Sequence, residues 1–207
     1  MSITPSLGRR LSAPRRVETL RRDGFTLIEL LIVITIIAVL VGIAFPAYQG
    51  IQNRARIAQV KNDLTQLVTA VNAYFTDYGK YPLPAASQGF NEDFTYSYDG
   101  EGTPPNSDLI KILQNEESKK ADNPRGVVFL SAPPAKADGA YGIQPEGASK
   151  EYLFLDPWGH AYSVCIDSDY NGKVREKGTG LSLSLGVITW SIGKDGNWEK
   201  SGIGSWK

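Results

Sequence analysis

Residues 25–45 read FTLIELLIVITIIAVLVGIAF, and among these 21 residues the only ionisable side chain is Glu29. A helix rises about 1.5 Å per residue, so the run covers roughly 32 Å, close to the hydrocarbon thickness of a bilayer. Few folds can absorb such a segment. An ordinary core helix is shorter and keeps a polar face. A secretory signal also sets basic residues before an apolar stretch, but that stretch runs only about 7–15 residues and ends in a small-x-small cleavage pattern. Here the run is longer, and Pro46, Ala47 and Tyr48 follow it.

The helical pattern does not stop at Phe45. From Tyr48 onward, Ile51, Ala55, Ala58, Leu64, Leu67, Val68, Val71, Tyr74, Phe75 and Tyr78 recur at spacings close to three and four, which makes one apolar stripe. Arg54, Arg56, Lys61, Asp63 and Asp77 fall on the opposite face. Gly79, with Pro82 beyond it, supplies the stop. The pattern predicts one helix from Thr26 to Tyr78, apolar all round in its first half and amphipathic in its second. Gly42 and Pro46 lie inside it, where a membrane setting tolerates them more readily than water does.

Charge divides the chain unevenly. Lys+Arg and Asp+Glu balance at 22 each. The first 24 residues hold Arg9, Arg10, Arg15, Arg16, Arg21 and Arg22 against Glu18 and Asp23, so the remainder is net acidic. That remainder is not a basic nucleic-acid binder by bulk charge. Cys165 is the only cysteine and His160 the only histidine, so an intrachain disulfide is impossible and His-clustered metal or triad chemistry has no residues to use.

Residues 80–150 are rich in Pro, Gly, Ser and Asn. Within them Ser107–Glu117 reads as a short helix capped by Ser107, with Leu109, Ile110, Ile112 and Leu113 as its apolar side, and Gly126–Leu130 as a strand. Tyr152–Leu155, Ala161–Ile166 and Gly186–Ile192 read as strands separated by turns.

Asp23-Gly24-Phe25-Thr26-Leu27-Ile28-Glu29, preceded by the basic stretch and followed by the apolar run, resembles the cleavage and methylation motif of the type IV pilin superfamily. The resemblance covers residues 21 to about 82. It implies an α+β pilin-like fold: one long N-terminal helix, about half of it transmembrane, packed on a small antiparallel sheet with long loops. It implies a basic leader at residues 1–24, a transmembrane and filament-core helix at 25–47, and a periplasmic globular domain at 48–207. A membrane peptidase would cut after Gly24, and Phe25 would become the methylated N-terminus. Glu29 would neutralise a neighbouring subunit's amine and set the register of assembly. A lone carboxylate in an apolar helix costs about 2.5–3.5 kcal/mol on insertion scales, so pairing it has a driving force.

Two further segments resemble the major pseudopilin of type II secretion: Asp156-Pro157-Trp158-Gly159 with Tyr162, and Ser191-x-Gly193-x-Asp195-Gly196. They turn the expected function toward a secretion pseudopilin, with a pilus subunit for adhesion, motility or DNA uptake as the alternative. The expected partners are further copies of the chain, other pseudopilins, the prepilin peptidase and methyltransferase, and an inner-membrane assembly platform, with no nucleic acid. The expected location is the bacterial inner membrane, single-pass, with the N-terminus cytoplasmic. No phosphate loop, nucleophile elbow or metal-His motif is present, so the chain reads as a structural protein and not an enzyme. A membrane-tethered sugar-binding module built on Trp158, Trp190, Trp198 and Trp206 is the reading from another class.

Calcium is the one ion the sequence suggests. Asp167, Asp169, Asn171 and Gly172 fit the first half of a calcium loop, D-x-D-x-N-G, but the twelfth position is Gly178 instead of glutamate. A plain Asp/Asn/Gly turn uses the same residues. Asp195 matches the aspartate of the C-terminal calcium loop known in major pseudopilins.

Overall fold

The computed structural model describes residues 25–84, 92–97, 104–150, 152–175, 180 and 182–206. The apolar and amphipathic stretches form one helix, α1 (Leu27–Tyr78). It ends as the sequence indicates: Gly79 takes a φ of 68°, and its N–H donates to the Phe75 carbonyl at 2.8 Å. A left-handed residue in this position closes a helix at little cost only when it has no Cβ.

The described residues divide into two units, the first ending at Tyr48 and the second beginning at Gln49. In the second unit, Val60, Leu64, Leu67, Ala70, Val71 and Tyr74 of α1 are buried. The stripe predicted from Ile51 is therefore covered only from Val60 on. Ile51, Ala55 and Ala58 remain exposed. Asp63 is also buried, although the spacing assigns it to the solvent face.

A four-stranded antiparallel sheet lies against this part of α1. Its strands are β1 (Phe94–Tyr96), β4 (Ser163–Ile166), β7 (Val187–Ser191) and β8 (Ile203–Gly204), in the order β1-β4-β7-β8. Two small hairpins accompany it: β2 (Gly142–Ile143) with β3 (Phe154–Leu155), and β5 (Val174–Arg175) with β6 (Ser182–Leu183). Strand alternation sorts the side chains. Val164, Ile166 and Val187 join the α1 core, and Thr189 Oγ1 donates to the Leu64 carbonyl at 3.1 Å. Cys165, Ile188 and Trp190 point to the other face, where Val174, Leu183, Trp198 and Trp206 cover them. Three of the four tryptophans are thus spent on a second small core, with the Trp198 and Trp206 ring centroids 5.6 Å apart. Trp158 packs against the first. All four tryptophans thus take part in packing, with Trp190 buried and the other three half-buried.

The middle region departs most from the sequence reading. Helix α2 (Ser107–Leu113) buries the four apolar residues expected of it, but Asn106 precedes it in place of the predicted Ser107 cap. The Asn106 side chain does not cap; its Nδ2 donates to the Tyr162 and Phe154 carbonyls at 2.7 and 3.2 Å. Gly126–Leu130 joins no strand among the described residues: Gly126 has a φ of 67°, and the amides of Phe129 and Leu130 both donate to the single Leu113 carbonyl. Tyrosines of α1 hold the region down. Tyr74 Oη donates to the Asp122 carbonyl at 2.5 Å, and Tyr78 Oη donates to Asn123 Oδ1 at 2.6 Å. Arg125 pairs with Asp77 beside them.

Candidate functional site

The start of α1 is organised around one carboxylate. Thr26 sits immediately before the helix, and Glu29 is its third residue. Thr26 N and Thr26 Oγ1 donate to Glu29 Oε2 at 2.8 and 2.6 Å, and Glu29 N donates back to Thr26 Oγ1 at 3.3 Å. This reciprocal capping box satisfies two orphan amides of the first turn and puts negative charge at the positive end of the helix. Thr26 was not singled out from sequence, although Thr-x-x-Glu ahead of an apolar run is the readable signal. Phe25 is exposed, as are the large apolar side chains from Leu27 to Ile43 and Phe45. A continuous apolar surface of this extent is a surface for lipid or for other chains. Gly24, the expected cleavage position, and residues 1–23 lie outside the described residues.

The two C-terminal segments singled out by resemblance meet in space. Asp156 is fully buried. Its Oδ1 accepts from Trp158 N and His160 N at 2.9 and 3.0 Å, and its Oδ2 accepts from Ser191 Oγ at 2.6 Å. Ser191 Oγ in turn accepts from Gly193 N at 2.9 Å. Gly193, at a φ of 74°, has the Ser201 carbonyl so close that any Cβ would collide with it. The arrangement is a structural knot that ties the Asp-Pro-Trp-Gly turn to the end of β7.

Asp63 forms a second buried polar centre. Tyr162 Oη donates to its Oδ2 at 2.7 Å, while Gln59 Nε2 and Tyr141 Oη donate to its Oδ1 at 2.9 and 3.2 Å. Burial pushes the carboxyl pKa above its ordinary value, the three hydrogen bonds oppose that rise, and the charge of Asp156 adds to it. A folded-state pKa above the unfolded one means that the fold favours the protonated form. The stability this contributes is present at low pH and is lost as pH rises through the elevated pKa. Urea unfolding of the wild type and of Asp63→Asn from about pH 3 to about pH 7 reads this directly. The wild type is expected to lose ground to the variant as pH rises. A trend of opposite sign would mean that the hydrogen bonds outweigh burial.

The predicted cation residues separate into two places. Asp167 and Asp169 come together with Asp93, which sequence reasoning did not place there, their ligand oxygens lying within 4.8 Å of one another. Their oxygens serve the turn itself. Asp167 accepts from Asn171 N and Gly172 N at 3.0 and 2.8 Å, and Asn171 Nδ2 donates to Asp169 Oδ2 at 2.7 Å. Asn171 Oδ1 accepts from Lys173 N. This is the Asp/Asn/Gly turn weighed against the calcium loop. Asp195 stands elsewhere and joins no cluster of three metal-ligating side chains among the described residues. Its neighbour Asn197 commits Oδ1 to the amides of Glu199 and Lys200, capping α3 (Trp198–Ser201). The two side chains therefore differ: Asn197 is committed to the helix cap, and Asp195 stands apart from the Asp93–Asp167–Asp169 group.

Comparison with known proteins agrees with the N-terminal geometry. The model for the prokaryotic N-terminal methylation motif matches residues 20–45. The type IV major alpha-pilin of Moraxella bovis is 38% identical over 108 residues, 52% of this chain and 66% of that protein. The fimbrial protein EcpC of Eikenella corrodens is 44% identical over 33% of this chain and 44% of its own length. The type IV major pilin PilA of Myxococcus xanthus is 40% identical over 34% of this chain and 32% of its own. The chain thus matches less than two thirds of each of these relatives. No solved structure matches it. With the capped apolar helix, its amphipathic continuation and the small antiparallel sheet, these likenesses place the chain in the type IV pilin superfamily.

Proposed function

We propose that this chain is the subunit of a type IV pilus, assembling through the exposed apolar half of α1 once the leader is removed after Gly24. The observation that carries this reading is the unbroken apolar surface from Leu27 to Phe45, headed by the Thr26–Glu29 box. The matched relatives are pilus subunits, which turns the function from the secretion pseudopilin expected first to the pilus subunit held as its alternative. Phe25 is then the residue that the methyltransferase modifies. The peptidase, the methyltransferase and the inner-membrane platform act on the chain, which itself provides surface and register. The secretion pseudopilin stays as a second reading on one observation: the Ser191–Asp156 hydrogen bond joins both of the segments that resemble that protein.

Filaments sheared from the surface of the native bacterium decide between them. The pilus reading expects the chain in the sheared fraction, shortened at Gly24. Absence from that fraction, together with loss of exported proteins on deletion of the chain, would favour secretion. Gly24→Val is expected to leave an uncleaved precursor in the membrane and no filament under either reading.

A further inference from the structure

Between Glu29 and the buried Asp63 the chain carries no acidic residue, yet it carries Arg54, Arg56 and Lys61. All three are exposed, and none makes an ion pair among the described residues. Between Gln49 and Ala58 no residue is fully buried; Asn53 and Ile57 are half-buried on one side, and Val60 is the first fully buried position. Arg54 and Lys61 are seven residues apart and share a face, whereas Arg56 is turned about 200° from Arg54 at 100° per residue. The two arginines therefore form a collar around the helix and not a stripe along it. One flat partner surface cannot meet both sides of a collar. A layer that surrounds the helix can.

We propose that Arg54 and Arg56, on opposite sides of the helix, are a headgroup-binding collar that seats the unassembled subunit in anionic phospholipid. Lys61 lies about 10 Å beyond Arg54 along the axis, where Val60 and Leu64 are already buried, and is not part of it. This rests on the reading that residues 25–45 span a membrane. Arg54 follows the last residue of that run by nine positions. Long side chains on a helix lean back over the preceding turn, toward its N-terminal end. Arginine and lysine stems bury along apolar surface while their charged heads reach phosphate, and the exposed Ile51 supplies apolar surface one turn earlier. Among the described residues no acidic side chain pairs with either arginine.

Full-length protein in nanodiscs of phosphatidylcholine mixed with phosphatidylglycerol tests the collar, with retained lipids counted by native mass spectrometry. The collar variant is Arg54→Gln/Arg56→Gln. The control is Lys173→Gln/Lys194→Gln, which removes the same charge from exposed positions of the globular unit. A cation near an anionic surface favours it roughly fivefold. The retained phosphatidylglycerol ratio should therefore fall by at least about fivefold in the collar variant and stay at the wild-type value in the control. Equal ratios in all three overturn the proposal and point to acidic side chains of a second copy as the occupant. A chain that leaves the disc altogether overturns the spanning reading, and the collar with it.

Discussion

Asp156→Ala is expected to lower the stability of the globular unit by about 3–5 kcal/mol, the scale for removing one partner of a buried charged network. The carboxylate has no exposed surface and takes three hydrogen bonds from two stretches of chain, residues 158–160 and Ser191. Alanine leaves two amides and one hydroxyl without their acceptor. Domains hold only about 5–15 kcal/mol in total, so the loss is a large share of the whole. At roughly 2–4 °C per kcal/mol for a unit of this size, the melting temperature should drop by about 10 °C. Asp156→Asn keeps an acceptor for the two amides and should lose less. Ser191→Ala should lose about 1–2 kcal/mol, and the double variant less than the sum of the two, because both remove the same bond. Differential scanning calorimetry on the four proteins gives the comparison. Additive losses, or an Asp156→Ala protein that melts with the wild type, would contradict the knot.

Where the sequence was readable, one physical signal dominated. The apolar run and the three-four spacing fix α1 because no other structure hides that pattern, and Gly79 ends it because few residues besides glycine take that φ cheaply. Strands β4 and β7 were legible from their β-branched runs, Ser163–Ile166 and Val187–Ser191. Strand β1 was not. Phe94–Tyr96 is three residues long and earns its place only by pairing with β4, a non-local contact that no local pattern announces. Gly126–Leu130 failed for the converse reason: its composition suits a strand, but its amides go to the Leu113 carbonyl and not to a strand among the described residues. Asp63 shows the same limit from the polar side. Helical spacing sends it to solvent, and only Tyr162 and Tyr141, 99 and 78 residues away, make its burial affordable. The acidic turn was legible as chemistry but not as geometry, because sequence alone could not place Asp93 beside Asp167 and Asp169.

Glu29→Ala is expected to be cleaved and inserted normally and yet to yield filaments reduced by more than about tenfold. Breaking a buried charge pair costs about 3–5 kcal/mol, whereas a tenfold change needs only about 1.4 kcal/mol. The structure supplies a competing explanation that the experiment must separate. In the single chain Glu29 already serves as a helix cap for Thr26, and losing a cap costs about 0.5–2 kcal/mol by itself. Glutamine distinguishes the two roles. It accepts from the Thr26 amide as glutamate does, so Glu29→Gln preserves the capping box, but it brings no charge to meet a neighbouring amine. If register depends on that charge, Glu29→Gln assembles as poorly as Glu29→Ala. Thr26→Ala, which breaks the box from the other side and leaves the charge, then assembles far better than either. Filament yield from sheared cells, with the processed N-terminus checked by mass spectrometry, measures all three variants on one scale. Normal filaments from Glu29→Gln would reduce Glu29 to a cap and remove the register argument. A Thr26→Ala defect as deep as that of Glu29→Ala would lead to the same conclusion from the opposite partner.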